Sequence, residues 1–511
     1  MAVKLKRINR WVLARRLVQY LALIIFLGLF ITSRRGGWPV WLVNLPIRLD
    51  PLAVLANFIA TRTLLTGSLI AVVLVLLTLI FGRVWCGWLC PLGTILDIFS
   101  PSKSNTKPVT ERFRWRGVKY VFLFLILVAA LLGNLTLLIL DPLTIFVRTL
   151  TVSVWPALDQ IVTSGEKLLY RINFLSTPVI RFDNAIRPSI LPPEPFFYKE
   201  AVLFGILFVG LIGLNWLERR FWCRYLCPLG GLLGLLSKLA VFRREVSEEC
   251  KGCALCASSC PTGTIDPARN FASDPSECSM CLDCLDACPR SRISFTPGLQ
   301  TAEWRDYDPG RRQAMLAIGA SVAAVALFRS DMLAQRDHPY RIQPPGAREN
   351  DLLGKCIRCG ECLRACPTGG LQPSIVESGL EGLWTPILVP RLGYCDFSCN
   401  ACGQVCPVKA IPALDLEVKR KDVIGSAYID ENRCIAWADR VECVVCEEMC
   451  PLPEKAITLE DAEVITPEGE TSIIPLPRVN RDLCIGCGIC EYKCPVNGVA
   501  AIRVNTPQES L

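Results

Sequence analysis

Histidine is all but missing from this sequence: His338 is the single one among 511 residues. A membrane cytochrome with two histidine ligands per haem needs more than one, and no Cys-x-x-Cys-His attachment site occurs. Haem held by histidine is therefore excluded. Also missing are a glycine-rich dinucleotide fingerprint, a phosphate loop and a nucleophile elbow, so no side chain is assigned a catalytic role. Net negative charge is confined to one end: residues 340–511 sum to −7 and the remainder to +15. The basic portion needs no nucleic acid as partner, because arginines flanking membrane segments account for it.

Apolar runs and cysteine are what the chain has in excess. Hydrophobic residues make up 51% and the mean hydropathy is +0.38, with the excess before residue 245. Four stretches, 17–32, 67–81, 118–140 and 201–217, approach the roughly 20 residues that cross a bilayer core of about 30 Å. Lys4, Lys6, Arg7, Arg10, Arg15 and Arg16 precede the first stretch. The loop 83–119 carries seven Lys and Arg and residues 219–244 carry six, against four in 33–66. The positive-inside rule then puts the N-terminus, the 83–119 loop and the chain after the fourth stretch on the cytoplasmic side.

This region repeats itself. "LDPLAVL" at 49–55 returns as "LDPLTIF" at 140–146, and "RVWCGWLCPLGTIL" at 83–96 returns as "RFWCRYLCPLGGLL" at 220–233. Both copies run in the same direction, which predicts two hairpins related by a pseudo-two-fold axis along the membrane normal. The second copy carries an extra stretch near 151–198 on the outer face. Cys86, Cys90, Cys223 and Cys227 are each spaced i, i+4, so on an α-helix each pair faces one side. Four thiols at one depth suit a metal or iron–sulfur centre; thiol–disulfide chemistry and plain packing are the alternatives. Asp50 and Asp141 read either as helix caps before proline or as proton acceptors and headgroup contacts for quinol.

The other 24 cysteines form six sets of four, so none of the 28 is spare. Cys250, Cys253, Cys256 and Cys260, then Cys278, Cys281, Cys284 and Cys288, both read C-x2-C-x2-C-x3-C-P. That is the ferredoxin spacing for [4Fe–4S] clusters, in which the fourth cysteine reaches the neighbouring cluster. Cluster one should take Cys250, Cys253, Cys256 and Cys288, and cluster two Cys278, Cys281, Cys284 and Cys260. Zinc ribbons use pairs and not runs of four. Two further sets are regular: Cys356, Cys359, Cys362 and Cys366; and Cys484, Cys487, Cys490 and Cys494. Two are irregular: Cys395, Cys399, Cys402 and Cys406 has one extra residue, and Cys434, Cys443, Cys446 and Cys450 has an eight-residue insertion. Pairing among these four sets is either sequential or nested. With the regular sets outermost, nesting, set three with six and four with five, is the expectation.

The expected architecture is α+β. A polytopic transmembrane helical bundle of two repeated hairpins (1–244) precedes a two-cluster ferredoxin-like domain (245–300). A linker at 331–349 leads to a four-cluster polyferredoxin domain (350–505). Between them, "GRRQAMLAIGASVAAVALFRSD" at 310–331 has the form of a twin-arginine export signal in mid-chain.

These motifs resemble a known family. Residues 1–300 look like the NapH-type membrane ferredoxin of quinol dehydrogenases, whose C-x3-C-P motif NosR and CcoG share. Residues 305–505 look like its exported NapG/MauM-type partner. The resemblance implies a fusion of the two, in which Arg311 and Arg312 stay cytoplasmic, the segment 308–330 becomes a fifth crossing, and the four-cluster domain lies outside. It implies six [4Fe–4S] clusters and an electron carrier taking electrons from the quinone pool in the cell membrane to another redox subunit, a cytochrome or a metalloenzyme. A maturation reductase for a metalloenzyme and a cytoplasmic electron hub are the competing readings.

Overall fold

The computed structural model describes residues 9–506 except 33–38, 65–66, 102–115, 173, 175, 188–190, 192–196, 299–310, 330–340, 376 and 466–470. His338, Lys4, Lys6, Arg7 and much of the 331–349 linker lie outside the described residues. The chain forms two compact units. One comprises 1–33, 41–147 and 205–326, and the other 34–40, 148–204 and 327–511.

The first unit contains apolar helices and the ferredoxin of sets one and two. Its helices Arg10–Thr32, Leu69–Phe81, Val118–Leu131 and Ala201–Gly213 coincide with the apolar runs, and Pro51–Thr61 lies between the first two. Among the described residues two helices, Arg10–Thr32 and the continuous stretch Pro142–Leu169, are long and apolar enough to cross a membrane. The others are shorter than the runs suggest. At about 1.5 Å per residue, the 13 residues of Leu69–Phe81 extend roughly 20 Å. That helix ends at Gly82 (φ 75°). Val118–Leu131 ends before Gly133 (φ 77°), and the Asn134 side chain then accepts from Thr136 N–H at 2.9 Å. In the second of these, Gly133 and Asn134 stop the helix before the apolar run 118–140 is used up. The mid-chain signal-like stretch is a helix, Arg311–Arg329, whose strongly apolar part is only Ile318–Leu327.

The ferredoxin of sets one and two is tied to the basic ends of these helices. Arg83 donates to the Ser276 carbonyl at 2.9 Å, Trp88 to the Met280 carbonyl at 2.8 Å, and Arg116 to the Gly263 carbonyl at 2.7 Å. Arg15 pairs with Asp283 at 3.2 Å. Buried Lys119 and Arg83 share the carboxylate of Glu277. Burial by itself would raise the Glu277 carboxyl, but the charges of Lys119, Arg83 and Arg116 outweigh it and hold it below the usual range.

The second unit joins the four-cluster domain to 148–204, the extra stretch of the second repeat. Tyr198 Oη donates to the Leu363 carbonyl at 3.0 Å, and Gln372 Nε2 to the Phe197 carbonyl at 2.9 Å. Phe204 packs on Trp384 with ring centroids 4.9 Å apart.

Among the described residues every sheet is a two-stranded antiparallel ladder. Strand Phe242–Val246 before set one pairs with Ile293–Pro297 after set two. Ser426–Ile429 before set five pairs in the same way with Ile502–Asn505 after set six. Thus sets five and six repeat the ferredoxin closure of sets one and two.

Candidate metal centres

Each C-x3-C run is a short helix: Leu255–Ser259, Asp283–Ala287, Glu361–Ala365, Ala401–Val405, Val445–Glu448 and Ile489–Lys493. The last cysteine of each set precedes a proline, which bars helical geometry at the residue before it. Cys260, Cys288, Cys366 and Cys406 accordingly have extended backbone. The chain turns there, and the fourth thiol points away from the first three.

Where it points decides the pairing. Cys278, Cys281 and Cys284 lie within electrostatic reach of Cys260, as the ferredoxin spacing predicts. Cys359 and Cys362 lie close to Cys356 and Cys406, and Cys402 to Cys395, Cys399 and Cys366. Cys434 faces Cys443 and Cys494, and Cys487 faces Cys484 and Cys450. The nested pairing is therefore wrong. Set three pairs with four and set five with six, because the short helices pack in those pairs, as those of sets one and two do. Insertions inside a set are absorbed locally: the one in set five forms a π-type turn, Ile435–Asp439. Trp437 there donates to the Pro477 carbonyl at 3.3 Å and stacks under Arg478.

The two pairs adjoin through sets four and six. Cys395 N–H donates to the Cys487 carbonyl at 2.8 Å, and the two thiols are in electrostatic reach. The four sites thus stand in single file: Cys356/359/362/406, Cys366/395/399/402, Cys450/484/487/490, then Cys434/443/446/494.

The residues present fit iron–sulfur cubanes. Burial pushes the Cys278, Cys446 and Cys487 thiols up to about 12, so these donors need iron to become thiolates at neutral pH. Among the described residues no group of three His, Cys, Asp or Glu closes to the spacing of a single metal ion. All four regular sets share one backbone turn. Residues 252 and 254, 280 and 282, 358 and 360, and 486 and 488 all have φ between 51° and 82°. Ala254, Met280, Leu282 and Arg358 adopt it despite their Cβ, a cost of roughly 1–3 kcal/mol each that persists where the surroundings demand it. Sequence reading missed this turn, since glycine marks only half of its positions.

The C-x3-C-P motifs depart from the α-helical expectation. Trp85–Leu89 and Trp222–Leu226 are π-type turns, with Cys90 N–H reaching Trp85 O and Cys227 N–H reaching Trp222 O, both at 2.9 Å. The wider turn replaces simple i, i+4 alignment, yet the four thiols still converge. Cys90 lies in electrostatic reach of Cys86 and Cys223, and Cys227 of all three others. Two buried arginines, unnoticed in the repeat, cross-brace the site: Arg83 donates to the Cys223 carbonyl at 3.5 Å and Arg220 to the Cys86 carbonyl at 3.3 Å. The reciprocal contacts are those a pseudo-two-fold requires.

Asp50 and Asp141 are buried helix caps. Asp50 accepts from Leu52 N–H at 2.9 Å, and Asp141 from Leu143 and Thr144 N–H, each at 2.9 Å. Their side chains also lie within hydrogen-bonding reach of each other, so the two repeats bring two carboxyls into one pair.

Sites and fold together define a multi-site iron–sulfur protein of ferredoxin type. A family described as "4Fe-4S binding domain" matches residues 63–107 and 200–247, and another of the same description matches 476–502. A "4Fe-4S dicluster domain" matches 270–367, spanning sets two and three. The methylamine utilization ferredoxin-type protein MauM of Methylorubrum extorquens is 35% identical over 206 residues, 38% of this chain and 89% of that protein. The ferredoxin-type protein NapG of Escherichia coli is 37% identical over 182 residues, 34% of this chain and 75% of NapG. Over that part the chain belongs to the NapG/MauM ferredoxin-type family. The putative electron transport protein YccM of Escherichia coli is 26% identical over 312 residues, 57% of this chain and 73% of YccM. No solved structure matches.

Proposed function

We propose that the chain is a membrane-bound electron carrier that takes electrons from quinol and delivers them to an extracytoplasmic redox partner. The observation that carries this reading is the single file of four cysteine sites in one unit, joined to the 148–204 segment. When bound, the clusters supply one-electron redox chemistry; the chain's own residues fix their spacing, burial and surrounding charge.

Three features support the membrane setting. Leu69, Val73, Val202, Ile206 and Val209 are 54–80% exposed on short apolar helices, a surface that water does not favour. The basic ends of these helices hold the first ferredoxin, in keeping with a cytoplasmic N-terminus and 245–300 domain. In chain order, 148–204 falls between the third and fourth apolar stretches, on the side away from the basic loops. The four-cluster domain that it holds would then be extracytoplasmic, reached through the Arg311–Arg329 helix as a fifth crossing.

The convergent Cys86, Cys90, Cys223 and Cys227 suit a seventh iron–sulfur site between the first ferredoxin and the helices, with Cys281 and Cys223 both near Arg220. The Asp50–Asp141 pair suits a proton acceptor for quinol, because two touching buried carboxyls cannot both stay ionised. The test is reduction of the purified chain by a short-chain quinol in detergent, followed optically. Steady reduction that Asp141→Asn slows supports the reading. Reduction by dithionite but never by quinol would sink it.

A further inference from the structure

The four sites of the second unit have unlike surroundings, and the difference runs along the file. At the Cys356 end, Arg358 and Arg148 are 1% and 2% exposed. Arg358 N–H donates to Cys356 Sγ at 3.4 Å, and its guanidinium donates to the Cys356 carbonyl and to the Glu381 carbonyl. Arg148 donates to the Arg358 carbonyl at 3.4 Å and is held over the Trp384 ring at 3.9 Å. Both guanidiniums act on the Cys356 thiol. Of the carboxylates here, Glu381 acts on Arg358, and buried Glu361 acts on the Cys359 thiol but is itself paired with buried Arg364.

The next site has one buried cation, Lys419, beside Cys395. At the third, Cys487 and Cys490 face chiefly other cysteines. At the last, Cys434 and Cys446 again face cysteines, half-buried Arg391 donates to the Cys494 carbonyl at 3.1 Å, and the nearby surface exposes Asp439, Glu442 and Glu448 together with Arg433 and Arg440.

We propose that this gradient makes the Cys356/359/362/406 site the resting place of the first electron to enter the file. The inference rests on the four-cluster reading above. One-electron reduction adds one negative charge and breaks no bond. Buried guanidiniums a few ångströms away favour the added charge far more than screened surface groups oppose it. N–H bonds to ligand sulfur act in the same direction but do not set this site apart, since Ala401 N–H reaches Cys399 Sγ and Ala427 N–H reaches Cys484 Sγ, each at 3.4 Å. The buried guanidiniums set it apart. Electrons entering from the Cys434 end would run toward the 148–204 segment. Electrons entering beside that segment would wait there until drawn on.

The experiment is an EPR-monitored redox titration of the full chain in detergent, with dithionite as reductant and dye mediators. Cys406→Ser should alter the earliest signal assigned to the 341–506 region, and Cys434→Ser should not. Arg358→Gln should lower the potential of that signal by at least a tenfold change in its reduced-to-oxidised ratio, roughly 59 mV for one electron. Arg358→Lys should restore it and Arg481→Gln should leave it unmoved. If Arg358→Gln fails to hold full iron, Arg148→Gln decides by the same shift. An earliest signal that answers to Cys434→Ser, or that ignores both arginine substitutions at full iron content, overturns the proposal. Iron well short of about 24 atoms per chain would instead overturn the cluster reading beneath it.

Discussion

Of the several ties between the first ferredoxin and the helices, one is a buried carboxylate shared by two cations. Glu277 meets Lys119 and Arg83, all three nearly free of solvent. Glu277→Gln would leave two buried cations without their counter-charge, a change that costs about 3–5 kcal/mol. The expected result is release of the 245–298 segment to protease at temperatures where the native chain is resistant. Asp141 poses a different question, because its carboxyl both caps a helix and meets Asp50. Asn still caps well, so Asp141→Asn should change stability by no more than about 1 kcal/mol. If the pair accepts a proton from quinol, quinol-dependent reduction should slow with an altered pH profile. Unchanged rates would leave only the cap.

Among the elements, two close approaches of backbone decide how modules join. A Cβ on Gly486 would lie 2.4 Å from Gly425 Cα, at φ +73°. The conformation alone costs alanine roughly 1–2 kcal/mol, and the clash is with main chain that cannot step aside. Gly486→Ala should therefore lose the iron of sets five and six, about eight atoms, measured by metal analysis, with sets three and four kept. In the first repeat a Cβ on Gly87 would sit 2.1 Å from the Ser279 carbonyl. The equivalent position in the second repeat is Arg224, paired with Glu218 at 2.8 Å. Gly87→Ala should loosen the first ferredoxin from the helices, whereas Arg224→Ala should not. Hydrogen exchange over 276–284 would distinguish them.

For the whole molecule the expectations concern stoichiometry and sidedness. Purified chain should carry about 24 iron atoms from six clusters, and about 28 if the C-x3-C-P site holds one more. Replacing Cys86 and Cys223 together by Ser should remove one spectroscopic centre and spare the other six; unchanged iron and EPR would refute ligation there. In sealed, inside-out vesicles, residues 340–511 should be shielded from added protease while 245–298 are cut. The opposite pattern would return the four-cluster domain to the cytoplasmic side.

The sequence by itself determined the six cysteine sets, the doubled C-x3-C-P motif and the ferredoxin class of the sites. Three of each set's four thiols lie in one short run, and proline fixes the turn at the fourth, so that part of ligation is local chemistry. It also carried the repeat, because two copies of one motif are visible without any fold. Only the tertiary structure decided which fourth cysteine joins which set, since that depends on which of the short helices pack together. Symmetry of spacing pointed to nesting, and the contact of neighbouring helices overruled it. The single file and the crossed Arg83 and Arg220 braces are likewise long-range. So are the buried arginines at Cys356: Arg148 and Arg358 stand 210 residues apart, and no local pattern in either stretch announces that they meet.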